Sequence, residues 1–181
     1  MLRNSLLSLA LITLCFHGVH SASPPPPDYI EGTEWGGPNG HSFNDYYDIK
    51  TFTNPRLTSV TLRGDKRMDG IEYTVTYGNN QKKTYKHGGG GGTAGTALEL
   101  AAGEVITQYD ICAHKKDYHT RIFYLKLYTN KNQERHTGHD MGSGSCNYGE
   151  KPPGGGYDPV GFFGREGEEI DALGFIYKHH K

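Results

Sequence analysis

Val160-Gly161-Phe162-Phe163-Gly164-Arg165-Glu166-Gly167-Glu168-Glu169-Ile170-Asp171-Ala172-Leu173-Gly174-Phe175, near the C-terminus, holds two apolar runs separated by a polar turn with Gly167 at one end and Asp171 four residues later. The pattern reads as a β-hairpin. Its turn converges a carboxylate and several backbone N–H groups on one loop, and a glycine-led turn presents those donors without a side chain in the way. A fixed acceptor beside bare donors suits a neutral polyol, whose hydroxyls both give and accept hydrogen bonds. On spacing alone, an ordinary hairpin with an Asp in its turn is the simpler reading.

Working outward, short alternating runs recur between Gly, Asn and Pro breaks, and no segment after Pro27 sustains a helical period. Leu57, Val60 and Leu62 lie in one strand-like stretch, and Ile71, Tyr73, Val75 and Tyr77 alternate with Glu72, Thr74 and Thr76. Gly78-Asn79-Asn80 supplies a turn before a strand over 82–85. Residues 104–113, 121–129 and 133–138 read as successive strands, with Ile122 to Leu127 apolar enough to be buried on both faces. Residues 142–156 read as a long irregular loop, and 159–164 with 169–178 as the closing hairpin. The class is all-β. Periodicity does not choose between a sandwich, a barrel and a prism.

The chain has 181 residues, enough for one domain with a sizeable core, and a net charge of −1, which makes neither nucleic acid nor an anionic membrane an obvious partner. Residues 1–23 have one early positive charge, an apolar stretch from Ser5 to Phe16 too short to span a bilayer, and a small-residue end. They read as a secretory signal peptide, which implies an extracellular protein without membrane insertion. Residues 24–28 are a stiff Pro-rich lead-in. Removing the signal removes Cys15, and in an oxidising compartment the simplest pairing of the remaining cysteines is Cys112–Cys146, with two separate buried thiols as the alternative.

Two further motifs accompany the C-terminal one: Trp35-Gly36-Gly37-Pro38-Asn39-Gly40-His41-Ser42-Phe43-Asn44-Asp45, and His87 followed by five glycines. With Gly-Phe-x-Gly-Arg-x-Gly-x-x-x-Asp-Ala-x-Gly, they occur in the order found in jacalin-related lectins, which the chain resembles over roughly Tyr29 to Tyr177. The resemblance implies a jacalin-like domain over 29–178, with a tail at 179–181. It further implies a β-prism of three Greek-key antiparallel sheets and non-catalytic carbohydrate binding, with no cofactor and no metal. Carried over residue by residue, the binding set is Gly167, Glu168, Glu169 and Asp171 from the C-terminal loop and Gly40 from the N-terminal one, with His87 and Gly88 on the rim. Asp171 is the charged acceptor, and Glu168 and Glu169 contribute N–H groups while their carboxylates face solvent as a local negative patch.

Galactose-preferring members of the family are processed to give a free amino terminus at the position of Gly40. Here Gly40 follows a continuous segment, so the resemblance favours neutral hexoses of the mannose or glucose type. A homo-oligomer is the expected route to avidity, since one shallow polar site binds weakly. The corresponding loop Gly64-Asp65-Lys66-Arg67-Met68-Asp69 has Asp65, not Gly, four residues before Asp69, which makes a second site doubtful. The alternatives are a protein-binding or cell-wall module that keeps the fold without sugar binding, and a glycosidase. Four acidic residues on one short turn cannot easily straddle a substrate, which disfavours the enzyme. His114, His119, His136 and His139 lack the paired spacing of a structural zinc site.

Overall fold

The structure, a computed structural model, describes residues 25–180. The proposed signal peptide, Cys15, Pro24 and Lys181 lie outside the described residues. The strands are β1 Tyr29–Glu31, β2 Trp35–Gly36, β3 His41–Asn44, β4 Arg56–Gly64, β5 Met68–Tyr77, β6 Gln81–Gly88, β7 Leu98–Glu99, β8 Ile106–Lys116, β9 His119–Thr129, β10 Glu134–Gly138, β11 Cys146–Glu150, β12 Tyr157–Glu166 and β13 Ile170–His179, with one short helix, α1 Tyr46–Ile49. They form three antiparallel sheets, ordered β1-β13-β12-β3 with β2 also on β13, β6-β5-β4-β7, and β10-β9-β8-β11. In the second and third sheets the fourth strand in sequence returns beside the first, which is the Greek-key order. The first sheet is closed instead by strands from the N-terminus.

Alternation builds the core. Along β5, Ile71, Tyr73 and Val75 are buried while Glu72, Thr74 and Thr76 stay partly exposed. Tyr73 meets Phe162 edge-on at 4.9 Å between centroids and Phe162 meets Phe175 at 4.8 Å, so the second sheet interlocks with the first. Phe175 stacks on Tyr109 of the third sheet at 4.3 Å. Each fully buried aromatic of this kind contributes roughly 1.5–3 kcal/mol relative to exposure.

Three departures from the sequence reading have local causes. Ile122 to Leu127 is not buried on both faces: Ile122, Leu125 and Leu127 are fully buried, while Phe123, Tyr124 and Lys126 are half-covered. Cys112 opposes Tyr124 and Ala113 opposes Ile122, so Phe123 is the extra residue of a β-bulge, and the bulge lets Ile122 and Leu125 face inward at odd spacing. Within 142–156 lies strand β11, paired with β8 and tied to it by the Cys112–Cys146 disulfide. Glu104 lies outside β8 and is buried, accepting from Thr129 Oγ1 at 2.6 Å and Gln133 Nε2 at 2.9 Å. The Thr129 hydrogen bond comes first among the contacts holding its carboxyl below the usual range.

Candidate functional site

The β12–β13 hairpin contains a second bulge. Arg165 opposes Ala172 and Glu166 opposes Ile170, which leaves Asp171 as the unpaired residue. A bulge re-aims the side chain it carries. The Asp171 carbonyl accepts from Gly37 N at 3.0 Å, which fixes the backbone on which the carboxylate stands. Gly40 has φ +71°, and a Cβ there would lie 2.4 Å from both Asp171 Oδ2 and the Glu166 carbonyl oxygen, so only glycine fits. Arg165 fastens this N-terminal loop to the closing hairpin, donating from Nε to the Asn39 carbonyl at 2.8 Å and from Nη2 to the Gly40 carbonyl at 3.0 Å. The arginine of the opening motif thus has a positioning task that spacing did not reveal.

Across the turn, a Cβ on Gly167 would lie 3.5 Å from Asp171 Oδ2, so the glycine keeps that side of the carboxylate bare. Gly167 N donates to the Glu169 carbonyl at 3.0 Å. Among the described residues, the N–H groups of Glu168 and Glu169 donate to no protein acceptor. The structure therefore brings Gly40, Gly167, Glu168, Glu169 and Asp171 to one place.

The expected negative patch is absent. Glu168 is exposed, but Glu169 is half-buried and receives Arg67 Nε and Nη2, each at 2.6 Å. The Arg67 hydrogen bond, with Arg67 and Arg121 charges behind it, holds the Glu169 carboxyl below the usual glutamate range. Arg121 Nη1 bonds Asp171 Oδ1, and Arg121 Nε lies 3.0 Å from Glu169 Oε2 without an aligned hydrogen bond. Two guanidiniums offset two carboxylates, Arg67 from the β4–β5 turn and Arg121 from β9. Sequence reading missed both because Arg67 is 102 residues from its partner and Arg121 is 50 from Asp171.

His87 is held by side chains from other elements. It closes strand β6 and is mostly buried, with one ring face stacked on Phe43 at 3.7 Å, Nε2 at 2.7 Å from Asp45 Oδ2 and Nδ1 at 3.3 Å from Glu166 Oε1. One ring face is thus covered and both ring nitrogens are engaged. Burial opposes its charge, but Asp45 and then Glu166 outweigh burial and raise the His87 pKa above the ordinary histidine value. Gly88 N donates to Glu166 Oε2, and a Cβ on Gly89 would lie 2.3 Å from the Glu168 carbonyl, so the glycine run packs against the Gly167 turn.

The β4–β5 hairpin repeats the backbone design. Arg63 opposes Gly70 and Gly64 opposes Met68, leaving Asp69 unpaired, and Gly89 N donates to the Asp69 carbonyl at 2.8 Å. Its turn carries Asp65, Lys66 and Arg67 where the other has Gly167, Glu168 and Glu169, and its arginine is committed to Glu169. Among the described residues, Cys112, Asp140 and Cys146 group three metal-donor side chains, but the disulfide leaves no thiolate to offer.

The family model of the jacalin-like lectin domain matches residues 33–176. The chain belongs to the jacalin-like lectin family. Horcolin of Hordeum vulgare is 32% identical over 143 residues, covering 78% of this chain and 91% of horcolin. The structure of Malaysian banana lectin superposes with a TM-score of 0.68 at 26% identity, covering 83% of this chain and 99% of that one. A mannose-binding jacalin-related lectin from Ananas comosus gives a TM-score of 0.70 at 19% identity, covering 85% and 100%. The three antiparallel sheets form the β-prism of these lectins, with the Greek-key order complete in the second and third.

Proposed function

We propose that the protein is a secreted, non-catalytic lectin that binds neutral hexoses of the mannose or glucose type through Gly40, Gly167, Glu168, Glu169 and Asp171. The observation that carries this reading is the bulge-mounted Asp171 carboxylate between two side-chain-free glycines, beside two backbone N–H groups with no protein acceptor. The carboxylate accepts from sugar hydroxyls and the N–H groups donate to sugar oxygens. Neither acts on a covalent bond. The mannose-binding lectin of the same fold supports the choice of hexose.

A glycosidase needs a carboxylic acid with a raised pKa facing a second carboxylate across the scissile bond. Here Glu169 is shifted in the opposite direction by Arg67, and Glu166 is spent on Gly88 N and His87. Secretion is supported by the residues 1–23 pattern and by the Cys112–Cys146 bridge.

A glycan array probed with wild type and Asp171→Asn tests the reading. Wild type binds mannose- or glucose-terminated glycans and the variant does not. Unchanged binding by a folded variant would remove Asp171 from the site.

A further inference from the structure

The acceptor of the proposed site is already occupied. Asp171 is 2% exposed, its Oδ1 is held by Arg121 Nη1, and its Oδ2 is the oxygen flanked by Gly40 and Gly167. A sugar offering two adjacent hydroxyls to one carboxylate needs the oxygen that Arg121 holds. The guanidinium stands in for the ligand's hydroxyl donor.

Arg121 also has somewhere to go. It comes from β9 in a different sheet, so the β12–β13 bulge does not depend on it for its hydrogen bonds. Its Nε, buried and without an aligned partner, lies 3.0 Å from Glu169 Oε2, while Glu169 has both oxygens on Arg67. Leaving Asp171 therefore strands no charge at Glu169. The side chain is 22% exposed, which gives it a path toward solvent.

We propose that Arg121 is the specificity-determining residue of the site, a self-ligand that a neutral sugar must displace from Asp171. The inference rests on the reading of Asp171 as the sugar acceptor. The apparent affinity for any sugar is then the intrinsic affinity reduced to the fraction of molecules with Arg121 withdrawn. The factor is the same for every sugar that engages both carboxylate oxygens, whereas a ligand satisfied by Oδ2 alone escapes it.

The test is calorimetric titration of methyl α-mannoside into the full chain as wild type, Arg121→Met, Arg121→Lys and the double variant Arg121→Met/Asp171→Asn. Arg121→Met binds about 10-fold more tightly than wild type, the change corresponding to an ion pair worth about 1.4 kcal/mol. Arg121→Lys, which keeps the charge but loses the planar fork, shows a smaller gain. The double variant loses binding. Equal or weaker affinity in both folded Arg121 variants overturns the proposal. If Arg121→Met fails to fold because Asp171 is left uncompensated, Arg121→Lys decides alone. Where Asp171→Asn abolishes wild-type binding but the Arg121 variants gain nothing, the lectin reading stands and the gate falls. Where no folded form binds, or all bind equally, both fall.

Discussion

Replacing Glu169 with Gln removes one charge from a four-member cluster while leaving its exposed neighbour, Glu168, as an internal control. The side chains of Glu169, Arg67 and Arg121 are 13%, 19% and 22% exposed, so their ion pairs lie between the surface and interior cases. Breaking an exposed pair costs about 0–1 kcal/mol and a buried one about 3–5 kcal/mol, which places Glu169→Gln near 2 kcal/mol. For a domain of this size that is a fall in Tm of about 4–8 °C. Glu168→Gln leaves Tm within about 1 °C, as expected for a surface substitution.

The pH dependence gives the difference a sign. The folded-state pKa of Glu169 is lowered, so its contribution is fully present above the unfolded carboxylate value of about 4.3 and disappears as pH falls through the folded value. Calorimetric melts from neutral to acid pH therefore separate wild type from Glu169→Gln at pH 7 and bring the two together in acid. Equal Tm values for the two Glu variants at pH 7, or a gap that persists in acid, would refute the assignment of Glu169 to this cluster.

Gly40→Ala combines left-handed strain with a clash against Asp171, whereas Gly103→Ala has the same φ of +71° with nothing within 4 Å. Strain alone costs Gly103→Ala about 1–2 kcal/mol in denaturant titrations, and Gly40→Ala, with the clash added, loses more than that and loses sugar binding. His87 has a raised folded pKa, so its ion pairs with Asp45 and Glu166 stabilise fully below the unfolded value of about 6.5 and fade as pH rises through the folded value. Urea titrations from acid to mildly alkaline pH show the stability gap between wild type and His87→Gln shrinking as pH rises.

How much was legible in the sequence follows from the range of each interaction. Ile71, Tyr73 and Val75 announce their strand because alternation is local, and the Gly78-Asn79-Asn80 turn follows from residues that accept positive φ. The three motifs brought Gly40 and Asp171 together through the family resemblance, and the structure adds why Gly40 must lack a Cβ. Glu168 and Glu169 are indistinguishable as letters, yet one is exposed and the other is held by arginines from the β4–β5 turn and from β9. His87 reads as part of a glycine loop because its partners, Asp45 and Glu166, are 42 and 79 residues away. Bulges at Phe123 and Asp171 are set by pairing register, which no single strand encodes.

The central claim is that sugar meets the backbone of two distant loops around Asp171. Amide chemical shifts followed by two-dimensional NMR during titration with methyl α-mannoside test it most directly. The account predicts saturable shifts centred on the N–H groups of Gly40, Glu168 and Glu169. Shifts confined to another part of the prism, or none at saturating sugar, would contradict it.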